Sequence, residues 1–232
     1  MGLKLSWLVE RALDAVFPPR CVGCGRQGMA LCGECLAESP RLPESRCWLC
    51  AAQLREQGWC GRCAAGRPPL EGVASPFAME GVVREAVHRL KYGNLRGLAK
   101  VLAEPMAEAL AATPVAATLL VPVPLHPSRL RERGYNQAAL LAREVGRRLG
   151  LPVDAAALAR VRATPPQVRS ASRQERRASV SGAFRTRRDL AGASVVAVDD
   201  VCTTGATLEA CATALRDGGA ARVWGLTAAR EL

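Results

Sequence analysis

Ten residues toward the carboxyl end, Val198-Asp199-Asp200-Val201-Cys202-Thr203-Thr204-Gly205-Ala206-Thr207, join two adjacent carboxylates to a run of small and hydroxyl-bearing side chains. The apolar run Val195-Val196-Ala197-Val198 leads into them, and a helical stretch over 208–217 follows, closed by Gly218-Gly219. In a strand–turn–helix unit such a turn aims successive backbone N–H groups at one spot, where the helix dipole adds partial positive charge. An anion is then held without a lysine. Thr203, Thr204 and Thr207 supply hydroxyl donors as well. A triphosphate loop requires a lysine directly after its glycine, whereas here Ala206 follows Gly205. Asp199 and Asp200 would repel a polyphosphate, but they suit a sugar whose hydroxyls need strong acceptors with a magnesium ion nearby. Ribose 5-phosphate meets both demands. The competing explanation, an ordinary strand-to-helix turn with acids at the helix start, does not account for the Thr-Thr-Gly-x-Thr run.

Chemistry at the anomeric carbon of such a sugar requires stabilising an oxocarbenium-like centre and a departing pyrophosphate, so cations are needed opposite the loop. The candidates follow a short apolar run over 119–123: His126, Arg129, Arg131 and Arg133. In an extended loop the three alternating arginines would project to one side and clamp phosphates. A solvated basic loop explains any one of them equally well, and His126 alone says little about proton transfer.

The second chemical signal is the cysteine pattern, four Cys-x2-Cys knuckles at Cys21/Cys24, Cys32/Cys35, Cys47/Cys50 and Cys60/Cys63. Gaps of seven residues between Cys24 and Cys32 and nine between Cys50 and Cys60 let each consecutive pair fold back onto one tetrahedral ion. Two structural zinc sites are predicted, each closed by four thiolates and so without a position for substrate. Spacing leaves open an interleaved arrangement in which the first knuckle pairs with the third. Disulfides are the alternative in an oxidising compartment.

These sites need elements to position them. Residues 3–17 have apolar side chains at helical spacing, and Glu10, Arg11 and Asp14 interrupt any continuous apolar run. An amphipathic helix over 1–20 is expected, not a signal peptide or spanning helix, and a cytoplasmic location with it. Residues 21–69 form the turn-rich cysteine module, closed by Pro68-Pro69. Residues 70–232 alternate apolar runs with amphipathic stretches, with helices expected at 82–90, 95–112 and 137–149 and strands at 119–123, 195–198 and 223–228. Aromatics are only 4% of the chain, so Leu, Val and Ala must fill the core, as suits a mostly parallel sheet flanked by helices.

The formal charge is +11, and nearly all of it is arginine, since the lysines are Lys4, Lys91 and Lys100. Guanidinium groups favour phosphates, although genome composition alone could produce the bias. Nine arginines fall between Arg160 and Arg188 against the single acid Glu175, which marks a long, partly mobile excursion.

The loop residues resemble the phosphoribosyl pyrophosphate loop of type I phosphoribosyltransferases. That resemblance implies that Asp199 and Asp200 hold the ribose hydroxyls and help position Mg²⁺ as the catalytic acids, while Cys202, Thr203, Thr204, Gly205, Ala206 and Thr207 wrap the 5′-phosphate. Cys202 stands at a variable position of that loop and is read as a neutral filler. The wider order is more specific: cysteine knuckles, Leu90-Lys91-Tyr92, Val121-Pro122-Val123-Pro124, Arg133-Gly134-Tyr135-Asn136-Gln137, Arg162-Ala163-Thr164-Pro165-Pro166-Gln167, then the loop. Over nearly the whole chain this is similar to the ComF family, bacterial proteins linked to DNA uptake or to DNA as a nutrient. One departure is Ser179, where that family usually has Asn.

Two functions follow. One is a binding protein for phosphoribosyl pyrophosphate and Mg²⁺ in DNA uptake, natural transformation or DNA utilisation. It would hold single-stranded DNA on Arg160, Arg162, Arg169, Arg173, Arg176 and Arg177 and cooperate with uptake machinery at the inner membrane. Those arginines could equally close over the pyrophosphate. The other is an active phosphoribosyltransferase with an unknown acceptor, for which Tyr92 and Tyr135 are the available stacking residues. The zinc module would cover the pocket as a hood or help hold nucleic acid.

Overall fold

Val, Ala and Leu form near-continuous apolar runs along the central strands, and this pattern builds a sheet buried on both faces. The computed structural model describes residues 18–66, 68–162 and 180–232, so the expected amphipathic segment lies outside the described residues. In chain order the elements are α1 (Gly33–Ala37), α2 (Gly61–Gly66), β1 (Gly72–Ala74), β2 (Phe77–Ala78), α3 (Gly81–Tyr92), α4 (Leu98–Ala111), β3 (Leu119–Pro122), α5 (Pro127–Arg133), α6 (Gln137–Leu149), β4 (Leu158–Arg160), β5 (Phe184–Thr186), β6 (Ser194–Cys202), α7 (Ala206–Asp217) and β7 (Arg222–Arg230).

The main sheet runs β1-β7-β6-β3, with β2 also paired to β7, and every pairing in it is parallel. Strand alternation sorts β6 to both sides. Val196 and Val198 pack with α3, α4 and α6, whereas Val195 and Ala197 pack with α7 and with Leu158 and Phe184 of the small antiparallel β4–β5 pair. Helix α6 is ordered at both ends by its own sequence. Asn136 caps it by accepting a hydrogen bond from the Ala138 N–H, and Gly150 ends it in the left-handed conformation at φ 67°. Three helices and the central strands fall where hydrophobic periodicity places them, but β6 continues past Val198 through both aspartates to Cys202.

The cysteine module has little core of its own and borrows one from the sheet. Its first half lies on α3, where a side chain at Gly23 would meet Val82 at 3.1 Å and the Cys35 sulfur at 2.8 Å. Its second half lies on the β1 edge. Trp48 stands edge-on to Trp59 at 4.4 Å and to Trp224 of β7 at 5.6 Å. Trp224 is wholly buried, and Gly72 of β1 leaves the room its ring needs. The segment between the halves follows β2, with Ala78 N–H donating to Pro40 O at 2.9 Å and Leu42 N–H to Pro76 O at 3.2 Å.

Candidate functional site

A cavity of about 290 Å³ opens at the carboxyl ends of β6 and β3, where ligands of open parallel sheets bind. Its floor is Asp199 to Leu208. Both aspartates still belong to β6, so their side chains are fixed by sheet pairing and not by a loop. Asp199 accepts a hydrogen bond from the Asp200 N–H at 2.9 Å, and Asp200 is only 7% exposed. Burial, reinforced by the Asp200 carboxylate, pushes Asp199 up to about 7 against the opposing pull of Lys91. Gly205 then turns the chain at φ 80° into α7, and Thr204 Oγ1 accepts from the Ala206 N–H at 3.4 Å. The first N–H groups of α7 therefore face the cavity without intrahelical partners. Cys202 is buried, and that burial raises its thiol, which suits a neutral filler.

The opposite wall is basic: Lys91, Arg129, Arg133 and Arg160 line the cavity. Lys91 reaches across from the last turn of α3 and places Nζ 2.9 Å from Asp200 Oδ1. Burial lowers the Arg160 guanidinium, and the Arg129 charge adds to that effect. Crowded cations beside a phosphate cradle are what an anionic ligand would relieve.

The alternating-arginine clamp needs correction. Residues 127–133 form helix α5, so Arg129 and Arg133, four apart, share a face while Arg131 points away. Arg129 and Arg133 line the cavity and Arg131 does not. His126 is the N-cap of α5: its Nδ1 accepts from the Ser128 N–H at 3.3 Å and lies 2.7 Å from Ser128 Oγ. It serves the helix and stands outside the cavity lining. The proline at the helix start and the glycine after it, Gly134 at φ 73°, are the local signals that an extended reading overlooked.

The two tyrosines divide. Tyr92 is 63% exposed, lines the cavity and carries Arg133 over its ring at 4.8 Å. Tyr135 is buried and donates to Leu90 O at 2.5 Å, which anchors the end of α3 and removes it as a stacking surface. Of the excursion arginines, Arg160 ends β4 at the cavity and Arg162 donates to Ser181 O at 2.6 Å, bridging the two ends of the excursion. Arg169, Arg173, Arg176, Arg177 and Ser179 lie outside the described residues.

Two site residues escaped the sequence. Lys91 was visible within a motif, but nothing local said that it meets Asp200. Gln137 opens α6 at 1% exposure and lines the cavity, and its Nε2 has no hydrogen-bond partner among the described residues. An unsatisfied buried donor is costly unless a ligand pairs with it.

The cysteines gather into two groups, Cys21/Cys24/Cys32/Cys35 and Cys47/Cys50/Cys60/Cys63, each with its sulfurs within 4.8 Å of one another. The grouping is therefore sequential, not interleaved. A tetrahedral ion with Zn–S bonds of ~2.3 Å sets sulfurs ~3.8 Å apart, and the distances found are 3.6 Å for Cys21–Cys32, 3.7 Å for Cys24–Cys32 and 3.8 Å for Cys50–Cys60. Although burial opposes ionisation, backbone N–H groups bring Cys21 and Cys47 down to about 6, while the sulfur neighbours, Cys32 first, push Cys35 up to about 12. Four crowded thiols ionise together only around a cation, so the residues fit zinc.

None of the module's described residues lines the main cavity. Its second half instead walls a neighbouring cavity with Arg62, Arg230 and Glu209 that reaches the loop at Thr204.

A parallel sheet with an acid pair at the end of β6, a helix-capped cradle and two four-cysteine groups defines a phosphoribosyltransferase-like protein with an amino-terminal double zinc ribbon. Comparison agrees: residues 12–64 match the double zinc ribbon domain and residues 134–229 the phosphoribosyl transferase domain. The DNA utilization protein YhgH of Salmonella typhimurium is 32% identical over 229 residues, covering 94% of this chain and 93% of the relative. Competence protein F of Haemophilus influenzae is 30% identical over 225 residues, covering 90% and 97%. Competence protein ComFC of Bacillus subtilis is 26% identical over 199 residues, covering 82% and 80%. The chain belongs to the family these relatives form, the ComF family. No helix among the described residues is long and apolar enough to cross a membrane.

Proposed function

We propose that the chain binds phosphoribosyl pyrophosphate with Mg²⁺ in the cavity at the end of β6 and acts in DNA uptake or utilisation. The observation that carries the ligand is the placement of Asp199 and Asp200 at one end of the cradle, with Arg129, Arg133 and Arg160 on the facing wall. In this reading the N–H groups and hydroxyls of Thr203 to Thr207 hold the 5′-phosphate, and the aspartates accept from the ribose hydroxyls. The arginines hold the pyrophosphate, and Gln137 donates to a ligand oxygen. The donor set of hard carboxylate oxygens fits Mg²⁺, which when bound would neutralise pyrophosphate charge. The names of the relatives support the DNA role, and the excursion arginines supply the charge to hold a single strand. Free thiols in groups of four fit a reducing cytosol.

Transfer to an acceptor is the second reading. Exposed Tyr92 at the cavity mouth favours it, because a planar acceptor could stack there. Titration calorimetry with phosphoribosyl pyrophosphate and Mg²⁺ tests the first reading, and saturable binding that Asp199→Asn with Asp200→Asn abolishes is expected. Unchanged affinity in that variant would refute it. Pyrophosphate release with a candidate acceptor would establish the second.

A further inference from the structure

The cavity holds a cation of its own. Lys91 Nζ sits 2.9 Å from Asp200 Oδ1, and both side chains are largely withdrawn from solvent, at 24% and 9% exposure. The lysine is held there by the helix that carries it. It belongs to the last turn of α3, where the helix dipole favours positive charge. Val83, Ala86, Val87 and Leu90 bury that helix, and Tyr135 ties the Leu90 carbonyl at 2.5 Å. Arg133 stacks on the next residue, Tyr92, and donates to its hydroxyl at 3.2 Å. The chain end carrying Lys91 is thus pinned on two sides, while its flexible stem leaves Nζ free to turn between the acid pair and the cavity space.

Two adjacent carboxylates in a partly buried site repel each other without a cation. A lysine occupying one of them therefore competes with any divalent ion for the same oxygen. We infer that Lys91 is a built-in counter-ion of the ligand-free site, displaced from Asp200 when the ligand's cation and ribose hydroxyls arrive and redirected to a ligand phosphate. The inference rests on the phosphoribosyl pyrophosphate reading of the cavity. Gln137, buried with an unpartnered donor in the same cavity, independently marks it as built for a polar ligand. Lys91 makes free-ion binding weak and ties cation entry to phosphate entry, because only the phosphate gives the displaced ammonium a new partner.

The experiment compares the full-length zinc-loaded protein with Lys91→Met and Lys91→Arg, using Mn²⁺ alone and then phosphoribosyl pyrophosphate with Mg²⁺ as probes. Thermal denaturation first establishes that each variant folds. Lys91→Met is expected to bind free Mn²⁺ at least about threefold more tightly than the parent and the phosphorylated ligand about tenfold more weakly, one power of ten corresponding to ~1.4 kcal/mol. Lys91→Arg should stay near the parent in the Mn²⁺ arm. Unchanged Mn²⁺ affinity in Lys91→Met overturns the counter-ion role even if ligand affinity falls, because Lys91 would then be a phosphate contact alone. Unchanged ligand affinity overturns the redirection. Absence of ligand binding in the parent itself refutes the reading of the cavity, and the Mn²⁺ arm still reports on the ion pair.

Discussion

Arg230 and Leu49 join the metal module to the ligand cavity. The buried guanidinium of Arg230, the last residue of β7, donates to the Leu49 carbonyl at 2.6 Å, and Leu49 lies between Cys47 and Cys50 of the second four-cysteine group. Across the sheet Arg230 pairs in register with Cys202 at the start of the cradle, and the Glu231 N–H donates to Cys202 O at 2.9 Å.

Zinc removal should therefore be felt in two places. A strong chelator is expected to release two zinc ions per chain, to shift tryptophan emission to the red as Trp48 and Trp59 leave Trp224, and to raise the ligand dissociation constant severalfold. Metal analysis, fluorescence and calorimetry on one sample check all three. A chelated protein with unaltered ligand affinity would uncouple the module from the cavity.

Asp199 carries a stability cost that depends on pH. Its folded value, about 7, lies above the usual carboxylate value of 3.8, so between those limits the folded chain binds more protons than the unfolded one. This group's contribution to stability thus falls as pH rises through that window. Asp199→Asn is expected to melt higher than the parent at pH 8, with the gap narrowing toward pH 5, while losing ligand binding. Melting curves of the ligand-free proteins across pH decide this.

The helical geometry of α5 separates its arginines. Arg129→Ala and Arg133→Ala should each weaken phosphoribosyl pyrophosphate binding by about tenfold, the order expected for a charge-assisted phosphate contact. Arg131→Ala should leave it within about twofold, since Arg131 faces away. Equal weakening at all three positions would restore the extended clamp.

Gly72 is fixed by Trp224. An added Cβ would stand 2.5 Å from the indole ring, so Gly72→Ala should destabilise by ~1–3 kcal/mol through overpacking. For a chain of this size the melting temperature would fall by roughly 2–4 °C per kcal/mol. Calorimetric melting measures it directly, and a wild-type midpoint would contradict the packing.

Single-stranded DNA binding should weaken steeply with salt. Replacing Arg169, Arg173, Arg176 and Arg177 by Ala is expected to flatten the dependence by about 0.7 in logarithmic slope for each phosphate that is no longer neutralised. A salt-insensitive signal would count against binding through these arginines.

The sequence alone determined what is local. The cradle is one contiguous segment whose turn, helix start and acids are neighbours along the chain, and the cysteine knuckles are equally local, although their pairing into two consecutive groups was settled by the fold. Short continuous runs of Leu, Val and Ala similarly placed the buried strands. Tertiary structure decided which cations face the acids. Lys91, Gln137 and Arg160 come from α3, α6 and β4, and only the packing of those elements around the sheet brings their side chains to one cavity. Arg131 turns away for a local reason, since the helix bounded by Pro127 and Gly134 rotates alternate residues to opposite sides, so tertiary structure did not decide it. Tertiary structure did place the zinc module against the β1 edge. The surface that receives Trp48 is made by Trp224, a residue near the far end of the chain, and no spacing among cysteines encodes that contact.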